Sequence, residues 1–404
     1  MVYAIFIWHG AFLALTMSMI DFNTVFPAMI TDLGGSKIIF GIIYSLMLGI
    51  PYLFSLVFGH FLSTYRYHRK FLIMGIYLRG LAFLGMAGFM FFFGAKSPWL
   101  VIGSFFVWIL LFSLSGGLAG ISYEDIFGKL VAKGKRGRLA AARQFVSSLA
   151  AFGGGWIIAG VFSVNSLPFP KNYALVLIIG FIGLVVASIA FWFIKEPPSP
   201  VDDDVRPSLA SLLRSVPGIL RENPEFLRFI VVENLSSFSL MIMPFYMIYA
   251  KDVFHVPDVY IGRYLLFQVG GTIASNLLWG WMSGRYDSRR VVRLCLLLGG
   301  IIPIVALAIT TLGADMFSIV FLLVGFVYSG RRVGFEPYLL DIIPANNRPV
   351  YLGIRGTLNI LVVLLPVLGG VIIHFAGYLP VFVLVSTVMF AASFLLNGRT
   401  STEP

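Results

Sequence analysis

Gly280-Trp281-Met282-Ser283-Gly284-Arg285-Tyr286-Asp287-Ser288-Arg289-Arg290 is a short basic loop set between two long apolar runs. An earlier stretch, Gly59-His60-Phe61-Leu62-Ser63-Thr64-Tyr65-Arg66-Tyr67-His68-Arg69-Lys70, has the same plan, with a glycine closing one run and basic residues ahead of the next. Outward from these two loops the whole chain alternates in this way. Of its 404 residues 59% are hydrophobic and 12% charged, and the mean hydropathy is +0.92. No soluble core requires so much apolar surface, so the chain is read as an integral membrane protein. The 16% aromatic fraction and the 42 glycines agree, because bilayer helices use Trp and Tyr at their ends and Gly where backbones meet. The single cysteine, Cys295, can build neither a disulfide nor a metal cluster. The net charge of +11 is spread over short loops and forms no stripe for nucleic acid.

Twelve apolar runs lie near 5–29, 37–62, 70–94, 98–123, 139–163, 173–194, 226–250, 258–283, 289–312, 315–341, 348–375 and 378–396. Each reaches about 20 residues, which as helix covers roughly 30 Å of hydrocarbon, and none alternates as a barrel strand would. Run one has no small-residue cleavage signature and is kept as a span. Positive charge collects in the even-numbered loops, as at Arg66 and Arg69, Lys129 to Arg138, Arg206 to Arg228, and Arg285 to Arg293, whereas the odd loops hold Lys37, Lys96, Lys171 and Lys251. Cytoplasmic loops retain Lys and Arg, so both termini are expected in the cytoplasm, and a bacterial inner membrane is expected to hold the chain. The polar stretch Lys195-Glu196-Pro197-Pro198-Ser199-Pro200 and the acids Asp202 to Asp204 divide it into 1–194, a linker 195–225, and 226–404. Within the linker, Leu209, Leu212, Leu213, Val216 and Leu220 recur at helical spacing, as in an amphipathic surface helix.

A second repeat supports duplication. Asp125-Ile126, Arg136 and Arg143 follow run four as Asp341-Ile342, Arg348 and Arg355 follow run ten. Two sets of six spans, with a glycine-initiated basic loop after spans two and eight, resemble the major facilitator superfamily along the whole chain. That family's loop signature is matched by Gly280, Arg285, Asp287, Arg289 and Arg290. In the first half it is matched by Gly59, Arg66 and Arg69, with Ser63 or Thr64 at the acidic position. The Gly-Pro pair of the family's antiporter signature is missing before Gly153-Gly154-Gly155. The resemblance implies an all-α fold of twelve membrane helices, forming two pseudo-symmetric six-helix bundles that rock about a central site. Gly59 and Gly280 are then expected to hold helices together at the cytoplasmic end.

An ionisable group inside a span must pair, snorkel or line a wet cavity. The resemblance puts spans one, four, seven and ten around the cavity, making Asp21, Glu233, Arg331, Arg332 and Glu336 the candidates for substrate or proton handling. Counted by helical rise, Glu233 and Arg331 lie at nearly the same level, so an ion pair of Glu233 with Arg331 or Arg332 is expected. Consecutive arginines diverge by about 100°, so one of the two is expected to reach the cavity. Asp21, with Asn23 and Thr24 beside it, best suits a carboxyl that gains and loses a proton. Asp125, Arg143, Asp341 and Arg355 are candidates for a cytoplasmic gate if Asp125 pairs with Arg355 and Asp341 with Arg143 across the halves; pairing within each half would be structural. Arg79 reads as a structural partner, His9 and His374 as packing residues, and Tyr44, Tyr123, Tyr246 and Tyr338 as possible cavity residues.

Together these readings point to a secondary active transporter, not an enzyme, that moves a small organic solute by alternating access. It is expected to be proton-coupled, monomeric and without cofactor or metal. No phosphate-binding loop for ATP is readable. An exporter would exchange protons at Asp21 and Glu233 against a neutral or cationic amphiphile; an anion importer would use Arg331 or Arg332, since guanidinium groups match carboxylate and phosphate. A lipid or lysolipid transporter and a transport-inactive sensor are the rival readings.

Overall fold

In the computed structural model, residues 2–63, 65–131, 133–164, 166–198, 209–283, 285–343, 351, 354–356 and 358–396 are described, and all their regular structure is helical. This is the form lipid demands, since each backbone N–H and C=O must be satisfied within its own segment. The helices are α1 (Val2–Met19), α2 (Val25–Asp32), α3 (Lys37–Ser63), α4 (Arg69–Phe93), α5 (Pro98–Leu130), α6 (Lys133–Ser163), α7 (Lys171–Trp192), α8 (Leu209–Glu222), α9 (Pro224–Ser236), α10 (Phe245–Phe254), α11 (Val259–Ser283), α12 (Ser288–Ala308), α13 (Ala314–Ile342), α14 (Leu365–Ala376) and α15 (Tyr378–Leu395). Ten described stretches are long and apolar enough to cross a membrane. Of the other two expected runs, 258–283 forms α11, whose Arg263, Gln268 and Asn276 lower its hydropathy. Run 348–375 lies partly outside the described residues and leaves the shorter apolar helix Val362–Ala376.

Two of the expected spans are not continuous helices. Span one stops at Met19, and the chain turns through Asp21, whose carbonyl accepts from the Phe26 amide at 2.9 Å, before α2 begins. Span seven stops at Ser236, tightens into a 3-10 turn over Ser237–Met241, and resumes at Phe245. Proline lacks an amide hydrogen, so Pro27 and Pro244 cannot donate to the carbonyls of Asn23 and Leu240. The breaks therefore occupy corresponding places in the two halves of the sequence. A similar 3-10 segment, Asn359–Leu364, precedes α14.

Within 2–192, α1 packs on α6 and α7, α4 on α5 and α7, and α3 on α5; within 224–395, α11 and α12 pack on α13 and α15 packs on α12. The two sets meet where α6 touches α11, α3 touches α14, and α2 touches α10. Close approach at these seams needs glycine: a Cβ on Gly262 would run into the Ala159 backbone, and one on Gly41 into the Pro366 carbonyl. The expectation for Gly59 and Gly280 is corrected, because a Cβ at either would meet nothing within 4 Å. The linker helix forms as α8, whose Val216, Ile219 and Leu220 are half-buried against the main core; the side chains of Leu209, Leu212 and Leu213 lie outside the described residues.

Candidate functional site

A cavity of about 650 Å³ is lined by α3, α9, the 3-10 turn, α13 and the segment before α14. Four of the expected substrate residues, Glu233, Arg331, Arg332 and Glu336, stand in its wall together with Arg355. The expected pairing among them is corrected. Arg355 clasps Glu233 with Nε at 2.9 Å from both carboxylate oxygens and a second nitrogen at 2.5 Å, and Asn359 donates to the same carboxylate at 2.9 Å. Arg355 also reaches Glu336 at 3.2 Å. Arg331 is drawn instead to the broken span: it donates to the Ser236 carbonyl at 2.5 Å, to Ser237 Oγ at 3.2 Å and to Ser239 Oγ at 3.3 Å. The Ser236 carbonyl, at the start of the 3-10 turn, accepts from the Ser239 hydroxyl at 2.9 Å as well as from Arg331.

Both arginines line the cavity, where one was expected. Arg332, exposed and turned about 100° from its neighbour, donates to Gln144 Oε1 of α6 at 3.0 Å, across the seam between the sequence halves. Arg331 and Arg332 are thus hydrogen-bonded only by neutral groups: among the described residues neither has a carboxylate within ion-pair distance. Tyr52 and Tyr328 supply the tyrosines of the wall; Tyr44, Tyr246 and Tyr338 are buried instead.

Asp21 is placed in the break of span one. Its carboxylate accepts from the Asn23 amide at 3.0 Å, Thr24 Oγ1 at 2.9 Å and, from α11, Gln268 Nε2 at 3.1 Å. It therefore lies on the seam, held by two N–H donors and one hydroxyl, outside the lining of the cavity. Arg143 lies over the Tyr123 ring at 4.9 Å and beside Gly10. Arg79, read as a structural partner, lies over Phe112 at 4.2 Å with the Met17 sulfur at 4.0 Å. Its Nε is buried without a hydrogen bond.

The two ends of the molecule differ. At the end away from the termini, Lys251 of α10 bridges Asp32 of α2 at 2.5 Å and Asp258 at 3.0 Å, while Tyr173 donates to Asp32 at 2.6 Å and Asn172 to Asp258 at 3.2 Å. Beside this network Lys37 pairs with Asp252 at 2.8 Å, and Tyr378 donates to the same carboxylate at 2.7 Å. These contacts join the two halves of the sequence. The sequence reading missed them, treating Lys37 and Lys251 only as loop charges; the signal available was an acid or base at the tips of spans one, two, seven and eight.

At the termini end the cross-half pairs that would make a gate, Asp125 with Arg355 and Asp341 with Arg143, are absent, and each of these residues meets partners of its own half. Asp125 meets Lys129 at 2.5 Å and His68 Nδ1 at 2.7 Å, and Lys129 continues to Glu196 at 2.7 Å. Asp341 accepts from Ser288 at 2.9 Å. The reason is local: α5 continues to Leu130, so Asp125 and Lys129 face one another one turn apart. His68, Asp125 and Glu196 lie close enough to share a cation, and the Lys129 ammonium already fills that place. Of the loop signatures, Arg69 donates to the Ile194 carbonyl at 2.9 Å and Asp287 caps α12 through the Arg289 amide at 3.4 Å. Arg285 and Arg290 lie over Trp281 and Tyr286, and Arg66 is exposed. Arg348 and the side chain of Arg136 fall outside the described residues.

Compared with known proteins, the chain matches the family model described as Major Facilitator Superfamily over residues 7–274 and 235–403. No curated protein matches it. Among solved structures it is similar to a bacterial homologue of the iron transporter ferroportin in an inward-facing state, with a TM-score of 0.72, 14% identity and 98% of each chain covered. It is similar also to a mutant of the nucleoside transporter NupG, with a TM-score of 0.71 and 12% identity over 98% of this chain and 99% of that one. The D-xylose–proton symporter matches with a TM-score of 0.66 and 13% identity over 98% and 94%. At these identities the likeness is one of fold.

Proposed function

The chain belongs to the major facilitator superfamily, and from that premise we propose that it is a secondary active transporter for a small organic anion, working by alternating access between two six-helix bundles, 1–194 and 226–404. One observation carries the anion assignment: Arg331 and Arg332 present two guanidinium groups to the cavity without a carboxylate partner. A cation in low dielectric attracts an opposite charge strongly, and a guanidinium offers paired donors that suit a carboxylate or phosphate. The neighbouring Arg355 is already neutralised by Glu233 and Glu336. Glu233 is committed to this ion pair, which weakens the exporter reading that needed it as a proton carrier.

The cavity is read as open to the cytoplasm, the side expected to hold both termini. Closure of the opposite end by Lys251, Asp32, Asp258, Lys37 and Asp252 supports this, since the ion network spans both halves there. Proton coupling is assigned to Asp21. Its bond to Gln268 crosses the seam, so a change in its protonation would alter the contact between the bundles. The membrane is taken to be a bacterial inner membrane.

Counterflow in proteoliposomes tests the reading: vesicles preloaded with a mixture of carboxylates and phosphorylated metabolites are assayed for labelled exchange, with and without an imposed pH gradient. Exchange of one or more anions, lost when Arg331 and Arg332 are both replaced by Gln, is the expected outcome. Exchange confined to neutral or cationic solutes, or anion exchange unchanged in the double variant, would overturn it. Asp21→Asn is expected to retain exchange and lose its dependence on the gradient.

A further inference from the structure

A second cavity, of about 640 Å³, lies outside the central site, between the start of α4 and the end of α7. Both helix ends belong to the termini side of the molecule. The rim is cationic: Arg69, Lys70 and Lys195 stand there. Lys70 rests over the Tyr65 and Phe71 rings at 4.8 and 4.9 Å, and Lys195 is exposed. The one acid of the rim, Glu196, is committed elsewhere, to Lys129 at 2.7 Å and to the backbone amides of His68 and Arg69 at 2.8 Å each. Deeper, by one to two helical turns or about 6–10 Å, the walls become Met74, Tyr77 and Trp192, which are 44%, 40% and 52% exposed on the outer face of the helices. Trp192 Nε1 donates to the Tyr77 hydroxyl at 3.3 Å, which leaves that hydroxyl hydrogen free to donate.

We propose that this groove binds an anionic membrane phospholipid, with its phosphodiester between Lys70 and Lys195 and an acyl chain along Met74 and Trp192. The match is one of polarity at depth. Cations lie where headgroups lie, Tyr and Trp mark the interface, and apolar wall follows below. The volume falls within the range of a specific small-molecule pocket. Such a lipid is a bound companion and not cargo, because the groove faces outward from the bundle. Its headgroup would lie against Arg69 and Glu196, and so against the His68–Asp125–Lys129–Glu196 cluster that ties the linker to α5.

The test is native mass spectrometry of the detergent-purified full chain, titrated with phosphatidylglycerol, phosphatidylcholine or inorganic phosphate. Preferential retention of phosphatidylglycerol over phosphatidylcholine, by about tenfold or more, is expected, with the preference abolished in Lys70→Gln/Lys195→Gln. A second variant, Met74→Trp, fills the groove while keeping its charges; it is expected to lose bound lipid at an unchanged melting temperature, so the test survives if the double variant fails to fold. Equal retention of the two lipids, an undiminished preference in either variant, or displacement by millimolar inorganic phosphate would overturn the proposal. The last result would mark a site for free phosphate. None of these readouts depends on transport.

Discussion

Glu233 and Arg332 show how differently two charges in one cavity are held. Glu233 is buried and bound by three donor groups, whereas Arg332 is exposed and meets one neutral oxygen. Removing one member of a buried ion pair leaves the other uncompensated, at a cost of about 3–5 kcal/mol. Glu233→Gln is therefore expected to lower the melting temperature in detergent markedly, and Glu233→Met combined with Arg355→Leu to regain most of the loss. Arg332→Gln should change stability by about 0.5 kcal/mol or less, as surface replacements do, while weakening anion exchange by about tenfold or more. Equal melting losses in the two single variants would contradict this division of roles. The charged residues themselves were legible in the sequence, because an ion in an apolar run stands out. Their partners were not: counting helical rise put Glu233 level with Arg331, but the choice of Arg355 depends on a 3-10 turn that claims Arg331 first.

At the scale of elements, the breaks in spans one and seven and the glycine seams between halves decide what can move. Apolar composition marks a span without showing whether its hydrogen-bond ladder is whole, so runs 5–29 and 226–250 read as single helices. Pro27, Pro244 and the serines at 236, 237 and 239 were the available signs. Helix contact through glycine was legible as a class, yet not by position: Gly59 and Gly280 have room around them, while Gly262 has none. Replacing Gly262 with Leu is expected to wedge α11 from α6 and open the end away from the termini. A cysteine placed at Met29, buried on α2, should then react several-fold faster with a membrane-impermeant maleimide than in the parent. Unchanged labelling would mean that the α6–α11 seam does not control closure. Cys295 is buried and contributes little background.

For the whole molecule, the ion pairs between the halves among the described residues gather at one end, and a cavity with two unneutralised arginines occupies the other side. Membrane character was legible from hydropathy and the family from the paired loops; the ion network at the far end was not, because each of its members sits at a span tip and the cross-half partners are remote in sequence. Asp32 and Lys251 lie 219 positions apart. If that network holds the present state, Lys251→Met, which removes the bridge to both Asp32 and Asp258, should favour the opposite one.

The most direct measurement is the distribution of distances, in lipid nanodiscs, between spin labels at Arg66 and Tyr286 on the termini side and between labels at Lys171 and Val259 on the far side. Alternating access predicts that Lys251→Met lengthens the far-side distance while shortening the termini-side one. Distances that stay fixed, or that lengthen together, would contradict it.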